Sequence, residues 1–118
     1  METITVALGE RSYPILVGER ALDELPRVLA NMKAKGTAAL VTDSNVAPLY
    51  AETVETLLRQ AALTCTTCVL PAGEEEKRLA HIEWLCGRFL DANMDRSSIV
   101  VALGGGVVGD MAGFAAAS

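Results

Sequence analysis

The chain has 118 residues, a length that suits one domain. Its 51% apolar and 21% charged composition excludes a disordered chain, and a domain of this size needs neither disulfides nor a structural metal. Ten Lys and Arg against fifteen Asp and Glu give a net charge of −5, which excludes a nucleic-acid binder built on a basic stripe.

Thr3 to Leu8 alternates Ile4, Val6 and Leu8 on one face, a period-2 strand. Gly9 to Ser12 reads as a turn and Tyr13 to Val17 as a second strand, together a β-hairpin. Gly18 is expected to break that strand and Glu19 to open a helix reaching Met32, with Leu22, Leu25, Val28, Leu29 and Met32 at helical spacing. Pro26 either kinks this helix or marks its true first turn. Lys33 and Lys35 suit its negative pole, and Gly36 is expected to end it.

Thr37 to Thr42 is a nearly continuous apolar run, as expected for a strand buried on both faces. A second helix is predicted from Ala47 to Ala62 with Pro48 in its first turn. Thr64 to Leu70 is a core strand, Pro71 to Gly73 a loop, and Glu74 to Leu90 a helix opened by three glutamates. Ser98 to Leu103 is another buried strand, and Gly104, Gly105 and Gly106 lead into a last helix. Strands alternating with helices predict an α/β, Rossmann-like fold: a mostly parallel sheet with helices on both faces, opened by an N-terminal β-hairpin. Residues 1–118 form one domain. The run from Val107 to Ser118 stops without a helix cap, so a C-terminally truncated piece of a longer protein is expected.

No apolar run approaches the roughly 20 residues of a spanning helix, and no basic amphipathic segment suits a membrane surface. Met1 to Glu10 lacks the basic start and apolar block of a signal peptide. An odd count of three cysteines fits a reducing compartment, so a cytoplasmic location is expected.

Three strand-to-helix crossings carry ligand-type residues. At the last, a buried strand delivers the chain to Gly104, Gly105 and Gly106, and Val107, Val108, Gly109 and Asp110 begin a helix. Glycines let a ligand approach the backbone closely, and the free N–H groups of a helix start bind a diphosphate. Gly104, Gly106 and Gly109 also match G-x-G-x-x-G, although that fingerprint usually follows the first strand. The plainer reading is a tight turn with no ligand. Asp110, placed in the first helical turn, either favours the helix dipole or contacts a sugar or amide group. At the middle crossing, Ala72, Gly73, Glu74, Glu75, Glu76 and Lys77 either line a ligand or form a solvated acidic turn with one Glu74–Lys77 pair. At the first, Asp43, Ser44 and Asn45 either cap the next helix or accept bonds from ribose hydroxyls. All three crossings should open onto one edge of the sheet, where α/β folds bind ligands.

Cys65 and Cys68 have C-x-x-C spacing but sit in a predicted strand, where positions three apart face opposite ways. His81 is the single histidine, so no multi-histidine metal site fits within one chain.

The run Leu103 to Ser118 closely resembles the glycine-rich segment of 3-dehydroquinate synthases. Leu8 to Ile15, Val41 to Tyr50, and Leu70 to Lys77 resemble the same family in the same order, so the resemblance covers essentially the whole chain. Glycerol dehydrogenases and iron-dependent alcohol dehydrogenases share the three glycines and a following acid but less of the rest. The resemblance implies NAD and a divalent metal, zinc or cobalt, and conversion of 3-deoxy-D-arabino-heptulosonate 7-phosphate to 3-dehydroquinate and phosphate in the shikimate pathway. In that family a substrate hydroxyl is oxidised, phosphate leaves, the hydride returns, and an aldol step closes the ring. It places Asp43 to Asn45 at the adenosine ribose, Glu74 and Lys77 in the cofactor site, and Gly105, Gly106, Val107 and Asp110 at the diphosphate and nicotinamide half. Many members carry an acid where this chain has Ala72. Members are much longer, and their metal ligands, a glutamate and two histidines, lie beyond Ser118 with the residues that hold the sugar-phosphate substrate. The resemblance therefore implies no catalytic or metal-binding residue in this chain, weak NAD binding and no turnover alone, and a homodimer for the whole protein. A related polyol dehydrogenase fragment and a non-catalytic nucleotide-binding module are the alternative readings.

Overall fold

The computed structural model describes residues 3–7, 15–19, 25–33, 35–74, 77–95 and 97–117. The expected turn at Gly9 to Ser12, Leu22 of the first expected helix, and Glu75 and Glu76 lie outside the described residues; Glu19, expected to open that helix, lies in a strand instead. The elements are β1 (Thr3–Ala7), β2 (Ile15–Glu19), α1 (Leu25–Met32), β3 (Thr37–Asp43), α2 (Ala47–Gln60), β4 (Thr64–Leu70), α3 (Arg78–Asp91), β5 (Ile99–Leu103) and α4 (Gly106–Ala117). The strands form one sheet in the order β1-β2-β5-β3-β4. β1 runs antiparallel to β2, and every other pairing is parallel.

Side-chain alternation divides the core. Ala38, Leu40, Ile99, Val101 and Leu103 join Leu25, Leu29, Val54 and Leu58 on the face covered by α1 and α2. Ala39, Val41, Val100 and Ala102 join Leu85, Phe89, Met111 and Ala115 on the face covered by α3 and α4. β5 and β3 are buried on both sides, which is why their sequences are continuous apolar runs rather than alternating ones. The chain leaves β3 through α2 on one face to reach β4, then returns through α3 on the other face, past β3, to β5. Connections from β3 and β5 thus diverge to opposite faces, and such a divergence opens a crevice at the carboxyl ends of the strands.

Three local expectations change. Gly18 does not break its strand: β2 continues to Glu19, with Gly18 paired to Ile4 on one side and Leu103 on the other. Two ladders outweigh the entropy that a strand glycine costs. The first helix ends at Met32 as expected, but Lys33 already takes the left-handed conformation (φ 55°), ahead of Gly36 (φ 76°). Pro26 is the second described residue of α1. The third helix begins at Arg78, not at Glu74, because Gly73 at φ 84° turns the chain and Lys77 precedes the helix as its cap.

Cys65 packs among the α1/α2-face side chains and Cys68 among those of the α3/α4 face, so the pair shares no site. Burial pushes both thiols up from their ordinary value. A raised folded-state value means the unfolded chain releases these protons first. Stability should therefore hold below the unfolded thiol value of about 8.5 and fall as pH rises beyond it. Labelling Cys65 and Cys68 with a thiol reagent at mildly alkaline pH, read by peptide mass, should be much slower than labelling in denaturant.

Candidate functional site

β3, β4 and β5 are parallel neighbours, so their carboxyl ends at Asp43, Leu70 and Leu103 share one edge. The three crossings that follow them frame a cleft of about 230 Å³, lined by Asp43 and Asn45, the segment from Leu70 to Glu74, the segment from Gly105 to Val108, and Met111. It lies on the α3/α4 side of the crevice.

At the third crossing Gly104 adopts φ 152°, and a Cβ there would stand 3.2 Å from Val108 Cγ2. Only glycine lets the chain turn this tightly and still bury Val108 in the core. Gly109 N donates to Gly105 O at 3.2 Å, the first bond of α4. The N–H groups of Gly106, Val107 and Val108 precede that bond and have no helical carbonyl to meet. A Cβ built at Gly105 or Gly106 meets nothing within 4 Å. The backbone here is bare toward the cleft, and the positive end of the helix dipole favours an anion in front of it.

At the first crossing Asp43 Oδ1 accepts from Asn45 N and Val46 N, both at 2.9 Å. This oxygen closes a local turn ahead of α2 and does not cap the helix, whose N-cap Val46 has no side-chain cap bond; Asp43 also lines the cleft. Ser44 does not line it. Its N–H donates to Leu70 O at 2.9 Å and its Oγ accepts from Ala72 N at 2.9 Å, tying the first crossing to the second. Ser44→Ala should cost about 1 kcal/mol in a denaturant melt, the worth of one such bond.

At the second crossing Gly73 is at φ 84°, and Lys77 N donates to Glu74 O at 3.1 Å. Lys77 Nζ and Glu74 Oε1 are 3.3 Å apart. The two side chains meet as predicted, but across a turn rather than along a helix face. Asp110 is the fifth residue of α4, beyond its first turn, and its Oδ2 lies 3.3 Å from Arg78 Nη2. Of the sixteen sequence candidates, Asp43, Asn45, Ala72, Gly73, Glu74, Gly105, Gly106, Val107 and Val108 line the cleft together. Ser44, Lys77, Gly104, Gly109 and Asp110 do not line it and stand immediately beside it in sequence. The sequence analysis missed Leu70, Pro71 and Met111, the apolar part of the lining, and Arg78. Met111 was within reach of the helical period, four residues after Val107. Nothing in the sequence pairs Arg78 with Asp110.

No group of three or more His, Cys, Asp or Glu able to hold a metal occurs among the described residues. The described residues therefore do not fit a metal centre, and no metal-dependent step is assigned to them. No helix among the described residues is long and apolar enough to cross a membrane.

The family model described as 3-dehydroquinate synthase N-terminal matches residues 67–118. The 3-dehydroquinate synthase of Acidithiobacillus ferrooxidans is 48% identical over 117 residues, 99% of this chain. Both matches are to 3-dehydroquinate synthases, and the second runs over nearly the whole of this chain. Those from Citrifermentans bemidjiense and Rhizobium leguminosarum bv. trifolii are 46% and 42% identical over 99% and 98% of the chain. The chain spans about a third of the length of these relatives, 32%, 32% and 31%. The fold is also that of 2-deoxy-scyllo-inosose synthase, solved with carbaglucose-6-phosphate, NAD+ and Co2+. That likeness has a TM-score of 0.70 at 23% identity, over 96% of this chain and 31% of the other. The 2-epi-5-epi-valiolone synthase of Streptomyces hygroscopicus subsp. jinggangensis, solved with NAD+ and Zn2+, matches at TM-score 0.66 and 28% identity, over 94% of this chain and 30% of the other.

Proposed function

We propose that this chain is the NAD-binding part of a 3-dehydroquinate synthase, the enzyme that converts 3-deoxy-D-arabino-heptulosonate 7-phosphate to 3-dehydroquinate and phosphate. The observation that carries the reading is the cleft itself, where three glycine- and acid-bearing crossings meet in front of the first turn of α4. Its volume is below the roughly 300–1,000 Å³ of a complete small-molecule pocket, which fits one wall of a dinucleotide site. The NAD+ bound by 2-epi-5-epi-valiolone synthase supports the same cofactor here.

In this reading the amides of Gly106, Val107 and Val108 hold the diphosphate through hydrogen bonds and the helix dipole. Asp43 keeps Oδ1 on the chain and offers Oδ2 to a ribose hydroxyl, with Asn45 beside it. Glu74 lines the cofactor site with Lys77 paired to it, and Asp110 serves the nicotinamide half. Leu70, Pro71 and Met111 keep water from one wall. NAD, when bound, supplies reversible hydride acceptance from a substrate hydroxyl. The divalent metal, the sugar-phosphate contacts and the catalytic groups belong in this reading to the two-thirds of the relatives that the chain does not span, in a cytoplasmic homodimer.

The expected result is weak but saturable NAD binding by the chain, read by calorimetry or NMR titration, and no 3-dehydroquinate formed by the chain with Zn2+ or Co2+ added. Absence of NAD binding at millimolar concentration, with guanine or uracil nucleotides binding instead, would replace the reading with a different nucleotide module. Product from the chain alone would place the catalytic groups within it.

A further inference from the structure

Arg78 opens α3 directly after Lys77, and its guanidinium reaches α4. The Nη2–Oδ2 separation to Asp110 is 3.3 Å, with the two side chains 49% and 71% exposed. Among the described residues it is the ion pair that joins two elements, whereas Lys77–Glu74 is a local pair three residues apart. So exposed a pair adds little to folding stability. α3 and α4 are already held against the sheet by Leu85, Phe89, Met111 and Ala115, all buried. Packing therefore gives no reason for the pair.

Its position gives one. Asp110 is four residues beyond Gly106, hence on the same side of α4 as the first residue of the helix. A carboxylate free to swing there would oppose the negative charge that the α4 amides attract. Arg78 engages Oδ2 alone, and Oδ1 has no described partner. Ser44 ties the first crossing to the second through Ala72, and Arg78 ties the end of the second to the third. The three crossings are stitched in sequence.

We propose that Arg78 is a positioning residue of the dinucleotide site, which cancels and fixes the Asp110 charge so that a diphosphate can meet the α4 amides while Oδ1 stays open to the ligand. The proposal rests on the NAD-binding reading above. Arg78 acts through Asp110 and touches no ligand itself.

The test is titration of NAD, and separately of inorganic pyrophosphate, into the chain and its Arg78→Ala, Arg78→Lys, Asp110→Asn and doubly substituted Arg78→Ala/Asp110→Asn forms, at low and high salt. Arg78→Ala should weaken NAD binding roughly two- to fivefold, the range an exposed ion pair permits, and Arg78→Lys should restore most of it. The loss should vanish in the Asp110→Asn background, should shrink at high salt, and should appear with pyrophosphate as well. Melting temperatures should stay together. An equal loss in both backgrounds would make Arg78 a direct ligand contact, and a loss that follows the melting temperature would make it structural; either overturns the proposal, as does no loss. If the unaltered chain binds neither probe, the NAD reading falls and this proposal with it. If it binds both and Arg78→Ala is indifferent, the proposal alone falls.

Discussion

Gly106→Val should reduce NAD binding at least about tenfold, ~1.4 kcal/mol, while leaving the melting temperature almost unchanged. Gly106 is the first residue of α4, lines the cleft, and has open space where a Cβ would stand. A valine there strains nothing in the fold and fills the room in which a diphosphate meets the helix amides. Gly104→Val should behave in the opposite way. Gly104 is outside the cleft lining, at φ 152°, with Val108 Cγ2 3.2 Å from an added Cβ. Backbone strain and displacement of a buried valine together should cost about 2–4 kcal/mol of stability. Two glycines of one motif, two positions apart, then separate into a role in folding and a role in binding. Calorimetric NAD titration and thermal melts of the two variants check both halves. A Gly106→Val chain that binds NAD normally would remove the α4 amides from the site.

The layered sheet was legible because its central strands sit between helices on both sides. Thr37 to Thr42 and Ser98 to Leu103 are apolar without alternation, and no solvent-facing strand reads that way. The meeting of the three crossings followed from the same logic, since parallel strands put their carboxyl ends on one edge. The failures were local. Gly18 looked like a breaker because its propensity was weighed without the two neighbouring strands that hold it. Glu74 looked helical because acids favour a helix start, yet Gly73 turns the chain and the helix begins only at Arg78. Ser44 looked like a ligand residue because hydroxyls serve both ligands and backbones. Which one it serves depends on Ala72, 28 residues away. Arg78 and Asp110 are 32 residues apart on different helices, so only packing reveals their pairing.

Phe89→Ala should remove most of the stability of this chain. Phe89 is 2% exposed among Leu85, Cys68, Leu70 and Met111, where α3 meets both the sheet and α4. Truncating a buried phenylalanine costs about 3–5 kcal/mol, against a total of roughly 5–15 kcal/mol for a typical domain. This domain should lie toward the lower end, because Leu49, Leu79, Leu90 and Phe114 are 69%, 80%, 73% and 61% exposed and contribute little burial. A urea melt should show a midpoint far below that of the parent, and Phe89→Leu should recover a large part of the difference. Leu58→Ala, in the cluster on the opposite face, should cost about 2–5 kcal/mol by the same cavity argument. Ligand linkage then joins this measurement to the site. NAD at about 100 times its dissociation constant should return ~2.7 kcal/mol to the Phe89→Ala chain, since it binds the folded form alone. The same addition should return no more than about half of that, ~1.4 kcal/mol, to a Phe89→Ala/Gly106→Val chain, whose fold is equally weakened but whose NAD binding is about tenfold poorer. Equal rescue of both would place the bound NAD somewhere other than in front of α4.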